Sequence, residues 1–233
     1  MSAAIVAIYK DEAPYLEEWA RWHRAFGFSR FLLYDNDSTD GGRLEGADVE
    51  TVLWPGATMQ IAAYRDALRR LRGEVEWAAF VDLDEFIWSP DGLSLATVLA
   101  SFPHAANLWV PWQLFGWGIN LTRPPGETLP NYLWRAAETD HAARLGKSIV
   151  RPEAVVGIAS PHHFVVERDI TYVTPLLCNH YFTRSREEAL RKCARPRADT
   201  GQYRDWQTEF EEKAAAYSAV YDNRLAVQAA RLL

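Results

Sequence analysis

A run of five apolar residues, Trp77 to Val81, stops abruptly at three carboxylates, Asp82, Asp84 and Glu85. So short and unbroken a run, opening after Gly73, predicts a strand buried on both faces of a parallel sheet. Carboxylates at the end of such a strand fall where open α/β sheets bind ligands, in the crevice outside the carboxyl ends of the strands. With alternating side chains, Asp82 and Asp84 would point the same way across the pleat, close enough to share one cation. Crowded carboxylates among apolar neighbours repel one another and resist desolvation, so a hard divalent ion would make the cluster tolerable. Helix capping or a turn is the plainer use of the same residues.

Upstream of that run, strand and helix patterns alternate. Residues 5 to 9 (IVAIY) read as a strand ending at Lys10, Asp11 and Glu12. A helix follows, with Pro14 in its first turn, Leu16, Trp19, His23 and Phe26 at helical spacing, and Gly27 as its stop. Residues 31 to 34 (FLLY) form a second strand ending at Asp35, Asn36 and Asp37, and residues 49 to 54 a third, closed by Pro55 and Gly56. Ile61, Tyr64, Leu68 and Leu71 mark an amphipathic helix from Met59 to about Arg72. The alternation predicts a Rossmann-like α/β fold, a mostly parallel, doubly wound central sheet flanked by helices.

Downstream, Asp91 or Ser94 would cap a helix reaching Phe102, and residues 107 to 112 form another strand. Residues 113 to 142 mix prolines, glycines and aromatics and predict long loops that wall a binding site. Further strands are expected at 147 to 151 and 171 to 178, and two helices at 185 to 194 and 203 to 232. With 233 residues, 48% hydrophobic and 24% charged, the chain fits a single globular domain. Its net charge of -6 argues against nonspecific nucleic-acid binding. Cys178 and Cys193 lack metal-ligand spacing and cannot build a disulfide framework, which suits a reducing compartment. The first residues lack a signal-peptide pattern and no apolar run is long enough for a transmembrane segment, so a cytoplasmic location is expected.

Five segments in order, KDEAPYLEEWARWHRAFGFSRFLLYDNDSTDG, MQIAAYRD, AAFVDLDEFI, GKSIVRP and NHYFTRSREEALRKCARP, resemble glycosyltransferases of family 2 and, more closely, family 92-like members with D-L-D-E-F and N-H-Y signatures. The likeness runs from about Ala7 to Pro196. It implies a GT-A fold whose D-x-D motif holds Mn2+ or Mg2+ against the diphosphate of a nucleotide-sugar donor, with UDP favoured by analogy. The acceptor it implies is a glycan or lipid-linked molecule, as in polysaccharide biosynthesis. Within one domain, residues 1 to 112 would then form the nucleotide-sugar half with the D-x-D, 113 to 202 the acceptor and metal-completing half, and 203 to 233 a C-terminal helix. That helix could pack on the core, dimerise or make a peripheral membrane contact.

Carried over by position, the resemblance implies Asp82, Asp84 and His180 as metal ligands. It implies Glu12, Asp35, Asn36, Gln60, Asp66 and Lys147 as donor contacts. Two departures stand out: Arg184-Ser185 replaces the usual Lys-Ser, and Arg195-Pro196 replaces Arg-Gly, which removes a tight-turn option. Chemistry agrees with this set. A departing diphosphate gains negative charge, which a bridging divalent ion offsets, and an oxygen-rich set with one imidazole suits Mn or Mg better than Zn.

An inverting displacement also needs a base beside the acceptor hydroxyl. Glu85 is the first candidate by proximity; Glu138, Asp140, His162 and His163 are the alternatives. Trp112, Phe115 and Trp117 could stack on an acceptor sugar or pack in the core. Of the basic set Arg184, Arg191, Lys192 and Arg195, the residues after the first read more naturally as a solvated helix face. A carboxylate-based glycoside hydrolase and a catalytically inactive nucleotide-sugar binder remain alternatives. Donor-dependent product formation separates the three.

Overall fold

Apolar alternation along the first strand sets the layers of the molecule. In the computed structural model, which describes residues 1–138, 145–167 and 171–233, every residue of β1 (Ala3–Tyr9) is buried. Ala3, Ile5 and Ala7 join one hydrophobic cluster, with Leu16, Trp19, Trp22 and Phe26 of α1 (Ala13–Phe26). Ala4, Val6 and Ile8 join another, with Ala63, Tyr64, Ala67 and Leu71 of α2 (Gln60–Leu71). Helices therefore cover both faces of the sheet, as a strand apolar on both sides requires.

The first half continues with β2 (Arg30–Asp35), β3 (Val49–Leu53), β4 (Trp77–Phe80), β5 (Glu85–Trp88), α3 (Leu95–Ala100) and β6 (Asn107–Leu114). The second half holds α4 (Thr128–Asn131), β7 (Trp134–Arg135), β8 (Gly146–Val150), β9 (Val155–Ile158), β10 (Phe164–Val166), β11 (Thr171–Val173) and β12 (Leu177–His180). It closes with α5 (Arg186–Cys193), α6 (Ala214–Tyr217), β13 (Val220–Tyr221) and α7 (Arg224–Leu232). The main sheet runs β3-β2-β1-β4-β8-β6-β12-β5, with β11 also beside β6. β1, β2, β3 and β4 are parallel. β8 is antiparallel to both β4 and β6, which leaves β6 and its parallel neighbour β12 running with the first four strands. The expected mixed α/β layering with a mostly parallel sheet is therefore present.

β5 lies at the edge of the sheet and is antiparallel to β12. An open edge leaves backbone groups without partners. Here α1 supplies them: the Trp19 and Trp22 indole N–H groups donate to the carbonyls of Glu85 and Ile87 at 2.9 and 2.8 Å, and His23 Nε2 accepts from Ile87 N at 3.2 Å. A 14-residue helix is marginal alone in water. Two fully buried tryptophans, each worth about 1.5–3 kcal/mol of apolar burial, hold it in place.

Three expectations from the sequence change. Asp82 and Asp84 do not continue a strand, because β4 ends at Phe80 and the two aspartates occupy a tight connection closed by Glu85 N donating to Asp82 O at 3.1 Å. The pleat argument for a shared orientation therefore fails. The strand expected over 171 to 178 divides into β11 and β12, and Pro175, which has no N–H for a ladder, lies in the break. The single helix expected over 203 to 232 is instead a π-helical turn at Gln207–Glu211, then α6, β13 and α7. Helix propensity yields there to tertiary pairing: β13 pairs with β7, and Asp222 just after it accepts from Arg135 Nε at 2.7 Å. α7 packs on the core through Leu225 and Ala229. Among the described residues no helix is long and apolar enough to cross a membrane.

Candidate active site

Five of the parallel strands end along one edge of the sheet, and the segments that leave them line a cavity of about 890 Å³. Lys10, Asp11 and Glu12 follow β1, Asn36 and Asp37 follow β2, Asp82 and Asp84 follow β4, Leu114 ends β6, and His180 ends β12. This is the ligand-binding edge of an open α/β sheet, and the volume is that of a small-molecule site. The backbone is strained on the same rim. Asp11, Asp37 and Thr58 have φ of 53°, 65° and 53°, and a β-branched residue such as Thr58 pays most for that conformation.

The two aspartates take different counter-ions. Asp82 accepts from Lys147 Nζ at 2.8 Å and from Gln60 Nε2 at 3.0 Å. Lys147 is fully buried and lies 3.3 Å from Glu85 Oε2 as well. Burial alone would lower the Lys147 ammonium, but Asp82 and Glu85 outweigh it and hold its pKa well above the usual lysine range. Asp84 accepts from Lys192 Nζ at 2.5 Å, and its Oδ1 lies 3.5 Å from His180 Nε2. Burial opposes the charge on Asp84, yet Lys192 and His180 hold its carboxyl well below the usual carboxylate range.

Glu12 organises the next layer. Its oxygens accept from Arg184 Nη1 at 2.6 Å and Arg195 Nη2 at 3.1 Å. Arg184 also donates to the Leu83 carbonyl between the two aspartates, at 3.3 Å, and lies 3.4 Å over the Tyr15 ring. These two cations flank α5, just before its N-cap and just after its C-cap. Its capping box is complete: the Ser185 side chain accepts from Glu188 N, and the Glu188 carboxylate accepts from Ser185 N. Glu188 in turn accepts from Tyr15 and Tyr132, so the orientation of α5 is fixed to α1.

Of the residues expected at the site, Glu12, Asn36, Gln60, Asp82, Asp84 and His180 line the cavity. Glu85, Asp35, Asp66, Lys147 and Trp117 do not. Asp66 accepts from Tyr34 OH and pairs with Arg69 and Arg70, which ties β2 to α2. Asp35 Oδ1 accepts from Ser38 N at 2.8 Å and shapes the turn after β2. Asn36 spends its amide on the carbonyls of Trp54 and Gly56. Trp117 is buried, stacked 5.8 Å from Trp206 in a cluster with Phe210, and is a core residue. Phe115 is also buried, whereas Trp112 lines the cavity.

Glu85 is fully buried, and burial, with Lys147 opposing, pushes its carboxyl well above the usual range. Glu85 is sealed from the cavity, so its geometry lends no support to the expected role as base. Among the alternatives, Glu138 pairs with Arg135 and is not in the cavity wall, His163 is also absent from it, and Asp140 lies outside the described residues. His162 is in the wall. Its Nδ1 lies 3.0 Å from the Gly146 carbonyl, which can only accept. The proton is therefore on Nδ1 and the lone pair on Nε2, which has no protein partner among the described residues. Its ring packs edge-on against Trp112 at 5.0 Å, and Trp112 packs against His180 at 4.3 Å. Burial, with Lys147 second, pushes the His162 imidazole down to about 4.

Lys192 was expected on a solvated face, yet it is buried and bonded to Asp84. Its position three residues after the buried Ala189 was the available signal.

For a metal, the fit is partial and specific. Among the described residues no group of three or more His, Cys, Asp or Glu side chains is arranged to hold an ion; Asp82 is engaged by Lys147 and Gln60 and does not join Asp84 and His180. Mg2+-type ions are commonly held by one or two carboxylates plus substrate phosphates, so Asp84 and His180 suffice if a diphosphate completes the shell. Two buried orphaned atoms support that use. Glu85 Oε1 and His180 Nδ1 lack hydrogen-bond partners and face each other at 3.9 Å. A carboxylate behind the non-ligating nitrogen is the usual means of orienting a metal-binding histidine.

The sequence model of glycosyltransferase family 92 matches residues 5–224. A family 92 protein of Oryza sativa subsp. japonica is 30% identical over 196 residues, covering 77% of this chain and 33% of its own. Family 92 proteins of Ricinus communis and Arabidopsis thaliana are 29% and 28% identical over 202 and 198 residues, covering 76% and 73% of this chain. The chain spans about a third of the length of these relatives. With the family model running from the first strand into the last helix, the chain belongs to glycosyltransferase family 92.

Proposed function

We propose that this domain, on a GT-A scaffold, transfers a sugar from a nucleoside-diphosphate donor to an acceptor hydroxyl, with inversion. The donor is UDP-linked by analogy, and the acceptor is a glycan or a lipid-linked molecule. The observation that carries the reading is the pair Asp84 and His180, 3.5 Å apart at the carboxyl edge of the sheet, with the orphaned Glu85 oxygen behind the histidine. Asp84 Oδ1 and His180 Nε2 would hold Mn2+ or Mg2+. When bound, the ion offsets the charge that grows on the departing diphosphate.

The chain's own residues do the rest. Lys147 pairs with Asp82 and lies 3.3 Å from Glu85, so that Asp82 keeps a fixed position and the Glu85 carboxyl group stays behind His180. Lys192 holds the other oxygen of Asp84. His162, neutral near pH 7 and with Nε2 open, takes the proton from the acceptor hydroxyl. Trp112, between the two imidazoles, offers a flat apolar face for a sugar ring. A hydrolase reading lacks support, because Asp82 and Asp84 are both ion-paired and Glu85 is sealed.

The test is release of nucleoside diphosphate from a panel of nucleotide sugars with Mn2+ and a glycan acceptor mixture. The proposal predicts acceptor-dependent release that stops with EDTA. Sugar release from simple aryl glycosides without any nucleotide sugar would contradict it.

A further inference from the structure

The segment between α5 and the π-helical turn crosses the same cavity and brings a cation that no motif announces. Arg195, Arg197 and Arg204 all line the cavity wall. Arg195 is satisfied by Glu12, and Arg197 lies 3.8 Å from Glu209. Arg204 has no ion-pair partner among the described residues, and its buried Nε has no hydrogen-bond partner. Burial is the main cause lowering its pKa, with Arg197 adding to it and Asp84 opposing. A guanidinium taken out of water without a counter-charge costs free energy, and a fold retains one at a cost unless an anion completes it.

The segment is also held in place. Gln60 N donates to the Ala198 carbonyl at 3.3 Å on one side of Arg204. On the other, Trp206 stacks on Trp117 and Phe210 at 5.8 and 5.7 Å. Lys10 and Lys213, the other cavity cations without a carboxylate partner here, are exposed and solvated. Arg204 differs from them in being partly desolvated, and a planar fork of donors suits a phosphate better than a point charge does.

We infer that Arg204 binds the diphosphate of the donor directly, as a cation that lines the same cavity as the Asp84 and His180 pair and acts alongside it. The inference rests on the proposed transfer reaction. It assigns a binding role to a residue outside all five sequence segments described above.

Inorganic pyrophosphate is a suitable probe because it needs no knowledge of the donor base. Calorimetric titrations would compare wild type, Arg204→Gln, Arg204→Lys and Asp84→Asn, each with Mn2+ and with EDTA, beside thermal unfolding of each protein without ligand. Arg204→Gln is expected to weaken pyrophosphate about 10- to 100-fold, with Arg204→Lys between it and wild type. The unliganded unfolding temperature should stay the same or rise, because an uncompensated cation is removed. Wild-type affinity in Arg204→Gln overturns the inference while leaving the transfer reading intact. So does a weakening that comes with a lowered unfolding temperature and is not partly rescued by lysine, since that marks a structural residue. Absence of Mn2+-dependent pyrophosphate binding in wild type, with Asp84→Asn indistinguishable from it, overturns the transfer reading and this inference with it.

Discussion

The two halves of the chain contribute opposite charges to one site. The carboxylates Glu12, Asp82 and Asp84 follow the ends of strands in the first half and Glu85 opens β5, whereas their partners Lys147, His180, Arg184, Lys192 and Arg195 come from the second half. The acids sit on connections set by the parallel sheet. The cations arrive on the antiparallel β8, on β12, and on α5 and the residues that flank it. The sheet edge alone would be a cluster of mutually repelling carboxylates, and the second half converts it into a set of defined, charged positions. Removing a cation should therefore harm the acidic half more than removing an exposed acid partner harms the basic half.

The largest effect is expected at Lys147→Met. It leaves Glu85 fully buried beside Asp82 with no counter-ion, and breaking one side of a buried pair costs about 3–5 kcal/mol. Urea unfolding should report that loss, and adding Glu85→Gln should restore part of it; equal stability of the single and double variants would break the comparison.

Next comes Glu85→Gln alone, which keeps the shape but removes the carboxylate facing His180 Nδ1. Mn2+ affinity should fall about 10- to 100-fold, as for other partners of metal-binding histidines. Unchanged Mn2+ binding would return Glu85 to a purely structural role.

A third prediction concerns acid. His23 is fully buried and neutral, donating from Nδ1 to the Trp19 carbonyl and accepting at Nε2 from Ile87 N, and burial pushes its pKa down to about 3. His162 behaves likewise, at about 4. Each therefore binds its proton more weakly in the fold than in the unfolded chain. Their contribution is present above about pH 6.5 and is lost as pH falls toward those values, at about 1.4 kcal/mol per pH unit for each group. Urea midpoints between pH 7 and 4.5 should decline accordingly, and His23→Gln should flatten the slope by one group's share. The buried carboxyls of Glu18, Glu85 and Glu188, held above their usual range, act with the opposite sign, so the test is the difference between wild type and His23→Gln: equal slopes would show that His23 is not held neutral.

The smallest effect belongs to Arg195→Gln. Arg195 is 40% exposed and shares Glu12 with the buried Arg184, so its loss should cost under about 1 kcal/mol. Thermal unfolding of this variant beside Arg184→Gln sharpens the contrast between a rim cation and a buried one.

What the sequence made legible follows the same division. Local periodicity fixes β1 to β4 with α1 and α2, because the apolar runs of β1, β2 and β4 pack on both faces of one sheet and punctuation by Gly27, Pro55 and Gly73 survives tertiary contact. The same logic placed Asp82, Asp84, Glu12 and Asn36 at a common edge. It could not show that Asp82 and Asp84 turn toward different lysines, because a bend after β4 replaces the assumed pleat. Nor could it separate Lys192 from the exposed Arg191 beside it, since one helical step decides which charge is buried. The alanine-rich C-terminus misled for a related reason: pairing of β13 with β7 overrides helix propensity. Arg204 has no pattern at all in sequence, and its isolation is visible only once its neighbours are placed.

The proposed reaction depends on Asp84 and His180 holding a divalent ion against a donor diphosphate. The most direct measurement is calorimetric titration of UDP, GDP, ADP and CDP into wild type and Asp84→Asn, each with Mn2+ and with EDTA. At least one nucleoside diphosphate is expected to bind wild type with Mn2+, and both EDTA and the substitution are expected to remove that binding. Equal binding with EDTA, or no binding of any of the four to the folded wild-type protein, would contradict the proposed reaction.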